Sequence, residues 1–267
     1  MTAKGAAYVL DNTWENELDR LRLLESVWDP GTISRLSALG VGAGWRCLEL
    51  GAGGGSITRW LCDRVGPTGG VTAVDLEPRF VEADPRDNLE IHRRDIVAQG
   101  VPGDGYDLIH TRFLLMHLPD RERLVADLVR RLRPGGTILL EECDFQSIAV
   151  ADSPLYTEVW EMSLAVGAAT GGDWSFGRRL PGVLTAAGAI GVTAVTEGRI
   201  FAGGDAMAGV TAMTWEQMTP QLLAAGCPAD RLAAAIAELS DPDLWFPSCG
   251  NVAVSARRPA GMVGAER

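Results

Sequence analysis

A short apolar run that ends in an acid and opens onto a glycine cluster limits this chain more than any other stretch. In Arg46-Cys47-Leu48-Glu49-Leu50-Gly51-Ala52-Gly53-Gly54-Gly55-Ser56-Ile57, the run reads as a strand and the glycines as a tight turn. Ile57, Trp60, Leu61 and Val65 then recur on one side of a helix. Strand, turn and helix in that order open a doubly wound α/β sheet. Glycines are needed because a backbone that turns sharply against a ligand has no room for Cβ. Two nucleotide patterns compete for the turn. G-x-G-x-x-G fits Gly51 and Gly53 and fails at Ser56, whereas E-x-G-x-G-x-G is met in full by Glu49, Gly51, Gly53 and Gly55. No Gly-Lys-Ser/Thr follows, which excludes a Walker A loop.

Composition narrows the classes. With 267 residues and 46% hydrophobic content the chain can fill a sizeable core. No apolar run reaches the ~18 residues of a membrane span, and the first residues carry neither a basic nor an apolar leader segment, so a cytoplasmic protein is expected. The five cysteines are odd in number and form no C-x-x-C pair. That predicts reduced thiols, with no disulfide framework and no structural metal. A formal charge of −11 argues against a nucleic-acid partner, since phosphate binding rests on lysine and arginine. Eight tryptophans against three tyrosines supply large apolar walls for a core or an organic ligand.

Taken in order, the sequence predicts a helix from Asn12, capped by Asn12 with Glu15, with Trp14, Leu18, Leu21 and Trp28 on one stripe. Pro30-Gly31 is expected to interrupt it, and Ile33, Leu36 and Leu39 to form a second short helix. The second strand is Val71–Asp75. Asp75 lies 24 positions after Gly51, near the ~20 expected of an acid that meets ribose hydroxyls. Strands follow at Leu89–His92, Tyr106–His110 and Thr137–Glu141, and a helix opens at Pro119-Asp120. Further on come helices from Pro154 to Ala169 and from Arg179 to Ala187, and a sixth strand at Val192–Glu197. A capping box at Thr214-x-x-Gln217 predicts another helix start, before an alanine-rich helix at Ala229–Leu239 and a final strand at Gly250–Arg257.

Five landmarks occur together in residues 8–145. They are the Tyr8-Val9-Leu10…Glu17-Leu18…Arg20-Leu21 string, the E-x-G-x-G-x-G turn, Asp75, Asp95 after the third strand, and Leu132-Arg133-Pro134-Gly135-Gly136. In this order they resemble the class I S-adenosylmethionine (SAM) methyltransferases, particularly those that modify small molecules and natural products. The resemblance implies a Rossmann-like, doubly wound sheet of seven strands, mostly parallel with an antiparallel last strand. It also implies one domain over 1–267, with N-terminal lid helices in 1–40 and a SAM-binding half in 41–145. Helical insertions at 150–178 and 205–245 would build the acceptor pocket. The cofactor would be SAM, released as S-adenosylhomocysteine, and held by Tyr8, Glu49, Gly51, Ala52, Gly53, Gly55, Asp75, Leu76, Asp95, Ile96, Thr111 and Arg112.

Methyl transfer asks mainly that donor and acceptor be held in line, an effect worth up to ~7–11 kcal/mol. A base is needed only where the acceptor must lose a proton. Two of the three histidines, His110 and His117, fall in the segment after the fourth strand, which faces the acceptor in such sheets. Either can take a proton near neutral pH, so the rate would fall on acidification. The plain alternative for His117 is packing beside Leu118-Pro119. Trp14, Asp144, Phe145, Trp160, Trp174, Phe176 and Trp215, with Met207, are the candidate pocket residues, and Cys143 reads as a small buried hydrophobe. The Asp/Asn-Pro-Pro-aromatic motif of base-amino methyltransferases, the Pro-Cys of cytosine-C5 enzymes and the carboxylate set of Mg²⁺-dependent enzymes are all missing. A small organic acceptor is therefore expected, with no nucleic acid and no membrane, and with homo-oligomerisation left open. Three rivals stand beside this reading. They are a family member that keeps SAM but catalyses hydroxylation or a pericyclic closure, a SAM sensor without turnover, and a nucleotide-dependent dehydrogenase.

Overall fold

The structure, a computed structural model, describes residue 10 and residues 13–260. It opens with α1 (Glu17–Ala38), β1 (Arg46–Leu50), α2 (Ser56–Val65), β2 (Gly70–Asp75), a one-turn α3 (Arg79–Glu82) and β3 (Leu89–Arg93). Next come a one-turn α4 (Ile96–Gln99), β4 (Tyr106–Arg112), α5 (Arg121–Arg131), β5 (Leu132–Asp144) and α6 (Pro154–Ala169). Then follow α7 (Phe176–Ala186), β6 (Ile190–Glu197), β7 (Ile200–Ala202), α8 (Ala206–Ala224), α9 (Ala229–Glu238), β8 (Trp245–Pro247) and β9 (Gly250–Arg257).

Seven strands form one sheet in the order β3-β2-β1-β4-β5-β9-β6. The pairs from β3 to β5 are parallel, and β9 runs antiparallel to both β5 and β6. This is the mostly parallel α/β sheet with an antiparallel last strand that the sequence predicts. Side chains alternate across it with the two-residue period of a strand. Cys47, Leu108, Leu139 and Ala253 face a core with Leu36, Leu61 and Val65. Leu48, Leu50, Ile109, Ile138 and Leu140 face a second core with Leu128, Leu180 and Leu184. Both faces are covered, which explains why β1 reads as a continuous apolar run rather than an alternating one.

Three local expectations need correction. The helix predicted from Asn12 begins at Glu17, after Asn16, whose side chain makes no capping bond; Asn12 lies outside the described residues. Pro30-Gly31 does not end it, and one helix runs from Glu17 to Ala38. An interior proline costs a helix about 3 kcal/mol, but burial on either side of it opposes the break. Trp28, Thr32 and Leu36 are buried, Thr32 Oγ1 donates to Glu141 Oε2 at 2.7 Å, and Arg35 pairs with Glu141 at 2.6 Å. Thr214 and Gln217 cap nothing, because α8 starts eight residues earlier, after Asp205; Thr214 Oγ1 donates back to Val210 O inside the helix. The sequence pattern also missed a two-stranded sheet. Ile200, Phe201 and Ala202 pair with Pro247, Phe246 and Trp245, closing the base of the segment that carries α8 and α9.

Candidate functional site

The strand order reverses between β1 and β4, and one cavity runs along the carboxyl ends of the strands at this switch point. Its first half is built on the glycine turn. Gly51 has φ 70° and Gly53 φ 53°, a left-handed backbone that favours glycine. The Gly51 N–H donates to Val74 O at 2.8 Å, tying the turn to β2. The Gly53 N–H donates to Asp75 Oδ2 at 2.9 Å, and the Glu77 N–H donates to Asp75 Oδ1 at 2.9 Å. Each Asp75 oxygen keeps a further lone pair, so a vicinal diol can still be accepted. Burial raises the Asp75 pKa, against the pull of the Glu77 and Gly53 N–H groups. Leu76 and Val97 are each 51% exposed and border the cavity with Phe80 and Ile96, an apolar lining suited to a flat ring. Asp95 also borders it, while its Oδ1 caps α4 through the N–H groups of Val97 and Ala98. A turn without side chains, an acid with spare acceptors and an apolar slot fit the SAM that the sequence implies.

Glu49, Ala52 and Arg112 border this half too. The Arg112 guanidinium donates to Asp29 Oδ1 at 2.8 Å and Thr32 Oγ1 at 2.9 Å, joining the sheet to α1. The Glu49 carboxylate leads inward to His110, whose Nδ1 lies 2.7 Å from Glu49 Oε2 and whose Nε2 lies 3.1 Å from Glu141 Oε2. Burial alone would lower the His110 pKa. The Glu49 charge and the bonds to both carboxylates outweigh it and raise the value to about 9, so the ring is an imidazolium that donates on both sides. Glu141 is held down to about 2, with burial overcome by His110, Arg35 and Thr32. His110 is therefore a buried charge that clamps the sheet, and it does not border the cavity, contrary to the catalytic role expected for it.

The second half of the cavity is aromatic. Phe145 stands 5.2 Å from Trp160 and 5.8 Å from Trp174, between ring centroids, and Trp174 meets His117 edge to face at 5.3 Å. Met207, Val210, Thr214 and Met218 of α8 close one side, and Leu21, Leu24 and Trp28 of α1 another. His117 borders the chamber, and burial, then Arg20 and Arg121, push its pKa down to about 3. It is neutral throughout the physiological range, and the acidic fall in rate expected of an ordinary imidazole is not the behaviour this setting gives. The loop that carries His117 hangs on Glu142, fully buried, which accepts the N–H groups of Leu114, Leu115 and Met116 at 3.2, 2.7 and 3.2 Å. Burial pushes the Glu142 pKa up to about 8, against the pull of those three N–H groups. Phe113 in this loop has φ 55°, strained for a bulky residue. One ion pair is walled in as well. Arg20 donates to Glu17 through Nε at 2.9 Å and a second nitrogen at 2.5 Å, and Gln217 Nε2 reaches Glu17 at 3.3 Å.

Several expected residues stand off the cavity. Thr111 is buried within β4, and Gly55 lies behind the turn against Arg59 and Val81. Asp144 caps Gln146 and pairs with Arg178. Phe176 is buried under Arg121 and Arg179. Trp215 packs on Tyr156 and Trp160 from the far side of α8, and Trp14 contributes its carbonyl to Arg79 instead of a wall. Tyr8 lies outside the described residues. Reasoning from sequence missed Glu25, Phe113, Tyr156 and Cys249, all on the wall. Glu25 was findable, four residues beyond Leu21 on the expected stripe. Among the described residues no helix is long and apolar enough to cross a membrane, and no group of three His, Cys, Asp or Glu side chains could hold a metal ion.

Comparison with known proteins agrees with this geometry. Residues 48–140 match the family described as "Methyltransferase domain". Over 127 residues the chain is 27% identical to the ubiquinone/menaquinone biosynthesis C-methyltransferase UbiE of Hahella chejuensis, covering 45% of this chain and 50% of that protein. The chain thus spans about half the length of the curated relatives it matches. Among solved structures, Haemonchus contortus phosphoethanolamine N-methyltransferase 2 in complex with phosphomonomethylethanolamine and S-adenosylhomocysteine superposes with a TM-score of 0.59 at 15% identity, covering 94% of this chain and 59% of that one. The [4+2]-cyclase SpnF gives a TM-score of 0.51 at 17% identity, covering 82% and 76%. Both likenesses concern the fold. The glycine turn, the acids at the ends of β2 and β3 and the family match fall in the same stretch, and residues 48–140 are a methyltransferase domain of the class I, SAM-dependent kind.

Proposed function

We propose that this protein transfers a methyl group from SAM to a small, largely apolar organic acceptor, in keeping with natural-product tailoring in a reduced, cytoplasmic setting. The observation that carries the reading is the continuity of one cavity from the glycine turn to the aromatic chamber. SAM supplies a methyl group on a positively charged sulfur. Asp75 would accept the ribose hydroxyls, Leu76, Ile96 and Val97 would flank the adenine with Asp95 at its edge, and Glu49 would meet the methionine end. Phe145, Trp160 and Trp174 would orient the acceptor and exclude water. Glu17 and Arg20 neutralise each other and His117 is uncharged, so the chamber favours a neutral acceptor with one polar atom near these three side chains.

The test is to titrate the purified protein calorimetrically with SAM, S-adenosylhomocysteine and NAD. Neutral aromatic metabolites are then screened by mass spectrometry for the gain of one methyl group. Micromolar NAD binding with none for SAM would refute the cofactor reading. A second reading keeps SAM and changes the reaction to a pericyclic closure or a hydroxylation. The low basicity of His117 favours it, since such a closure asks for no proton acceptor. Tight SAM binding with acceptor conversion but no methyl gain would select that reading.

A further inference from the structure

Two of the five cysteines meet on the wall of the aromatic chamber. Cys143, near the carboxyl end of β5, and Cys249, just before β9, bring their Sγ atoms to 3.1 Å. Both are free thiols, 4% and 6% exposed, and both border the cavity, whereas Cys47, Cys62 and Cys227 do not. The sheet explains the approach. Cys143 pairs with Asn251 and Asp144 with Gly250, so Cys249 stands diagonal to Cys143 on the same face, within reach of its side chain. A single buried cysteine is only a small hydrophobe. Two sulfurs in contact at the edge of a cavity that admits solutes can do two-electron chemistry together.

We propose that Cys143 and Cys249 are an oxidisable dithiol, which closes to a disulfide under a hydroperoxide and reshapes the acceptor chamber. In the first step one sulfur, losing its proton, attacks a peroxide oxygen, and the O–O bond breaks to give a sulfenic acid and water. In the second step the other sulfur, losing its proton, displaces hydroxide from the sulfenic acid, and a second water leaves as the S–S bond forms. The two thiols lose two electrons and two protons, and hydrogen peroxide is reduced to two waters. Closure shortens the Sγ–Sγ separation from 3.1 Å to about 2.05 Å, which draws the corner at Ser248-Cys249 and β5 together. That corner holds a chamber residue: the Tyr156 hydroxyl donates to Pro247 O at 2.7 Å. Ser147 Oγ likewise donates to Ser248 O at 2.6 Å. The glycine turn on β1 is separated from Cys143 by β4 and lies outside this movement.

The effect on the acceptor rests on the methyltransferase reading of the chamber; the disulfide itself does not. The full chain, fully reduced, is treated with hydrogen peroxide and digested without reductant for peptide mapping. Binding of the apolar dye anilinonaphthalene sulfonate reports the chamber, and S-adenosylhomocysteine affinity reports the cofactor half. Expected are a mass loss of two hydrogens, a Cys143–Cys249 cross-linked peptide, and dye binding weakened at least about tenfold. S-adenosylhomocysteine affinity should be unchanged, and dithiothreitol should reverse the effects. Cys143→Ser and Cys249→Ser should each abolish the cross-link and the dye response while still binding S-adenosylhomocysteine. Cys249→Ala serves where a serine variant does not fold. A folded protein whose pair stays uncross-linked overturns the proposal, as does a cross-link with unaltered dye binding or one that also abolishes S-adenosylhomocysteine binding. Failure of the untreated protein to bind S-adenosylhomocysteine would instead count against the methyltransferase reading.

Discussion

Replacing His117 with glutamine should make the protein less sensitive to acid. In the folded state burial, Arg20 and Arg121 hold this imidazole's pKa near 3, whereas in the unfolded chain it titrates at about 6.5. A group whose pKa is depressed on folding contributes stability above its unfolded value and loses it as pH falls. For His117 the loss begins below about pH 6.5 and runs toward pH 3. At pH 5 the unfolded imidazole is nearly all charged and the folded one is not, which destabilises the native state by ~2 kcal/mol relative to pH 7.5. For a chain of this size that is roughly 4–8 °C in Tm. Melting wild type and His117→Gln side by side from pH 7.5 to pH 5 isolates the effect, because every other titrating group cancels in the difference. The wild type should lose more. Parallel losses would show that His117 titrates normally in the folded protein, and the neutral-chamber argument would fail with it. The same environment makes His117 a weak proton acceptor, so its loss should cost kcat much less than the ~10²–10⁴-fold of a base matched to neutral pH.

Asp75→Ala should weaken S-adenosylhomocysteine binding roughly 10- to 100-fold, the worth of ~1.5–3 kcal/mol for hydrogen bonds to a charged group; unchanged affinity by calorimetry in a folded variant would move the ribose elsewhere. His110 has a raised pKa, so its contribution to stability is complete below about pH 6.5 and is lost as pH climbs through about 9. Denaturant titrations should find wild type losing stability between about pH 6.5 and pH 9, with His110→Asn less stable at neutral pH and flatter over that interval; identical slopes would refute the charged assignment. Trp28 is 1% exposed in the middle of α1, so Trp28→Ala should cost ~3–5 kcal/mol. Deleting residues 1–28 should for the same reason abolish folding and not activity alone, and a truncated chain with a cooperative melt would show that α1 is only a cover.

What the sequence disclosed and what it hid divide along physical lines. The turn at Gly51–Gly55 and Asp75 were legible because their requirements are local: backbone without Cβ, a strand before, a helix after. The apolar run of β1, buried on both faces, was legible for the same reason. His110 was misread because its partners, Glu49 and Glu141, lie 61 and 31 residues away and become neighbours only through strand pairing. The run through Pro30 was hidden because the opposing contacts, Thr32 and Arg35 to Glu141, are also tertiary. Trp174 and Trp215 look alike in sequence, and only tertiary packing separates them: Trp174, in the loop after α6, meets Phe145 and His117 on the wall, while Trp215 of α8 packs on Tyr156 and Trp160 away from it. The pairing of β7 with β8 joins runs of three residues, too short to show a period.

That small pair of strands has a practical consequence. Because Phe201 meets Phe246, the chain leaves and re-enters the body at adjacent points, and everything between them is a loop closed at its root. Such a loop can be exchanged as a cassette. A segment from a homologue, spliced at Ala202 and Trp245, would bring its own version of the face now formed by Met207, Val210 and Met218, while the seven-stranded scaffold stays as it is. The graft would have to respect its contacts with the rest of the chain, among them the bond from Gln217 to Glu17 beside Arg20, the packing of Trp215 on Tyr156 and Trp160, and the ion pair of Arg231 with Glu158. Library construction for altered acceptor choice can therefore vary some forty contiguous residues together with the positions that touch them, such as 17, 20, 156, 158 and 160, rather than the whole chain.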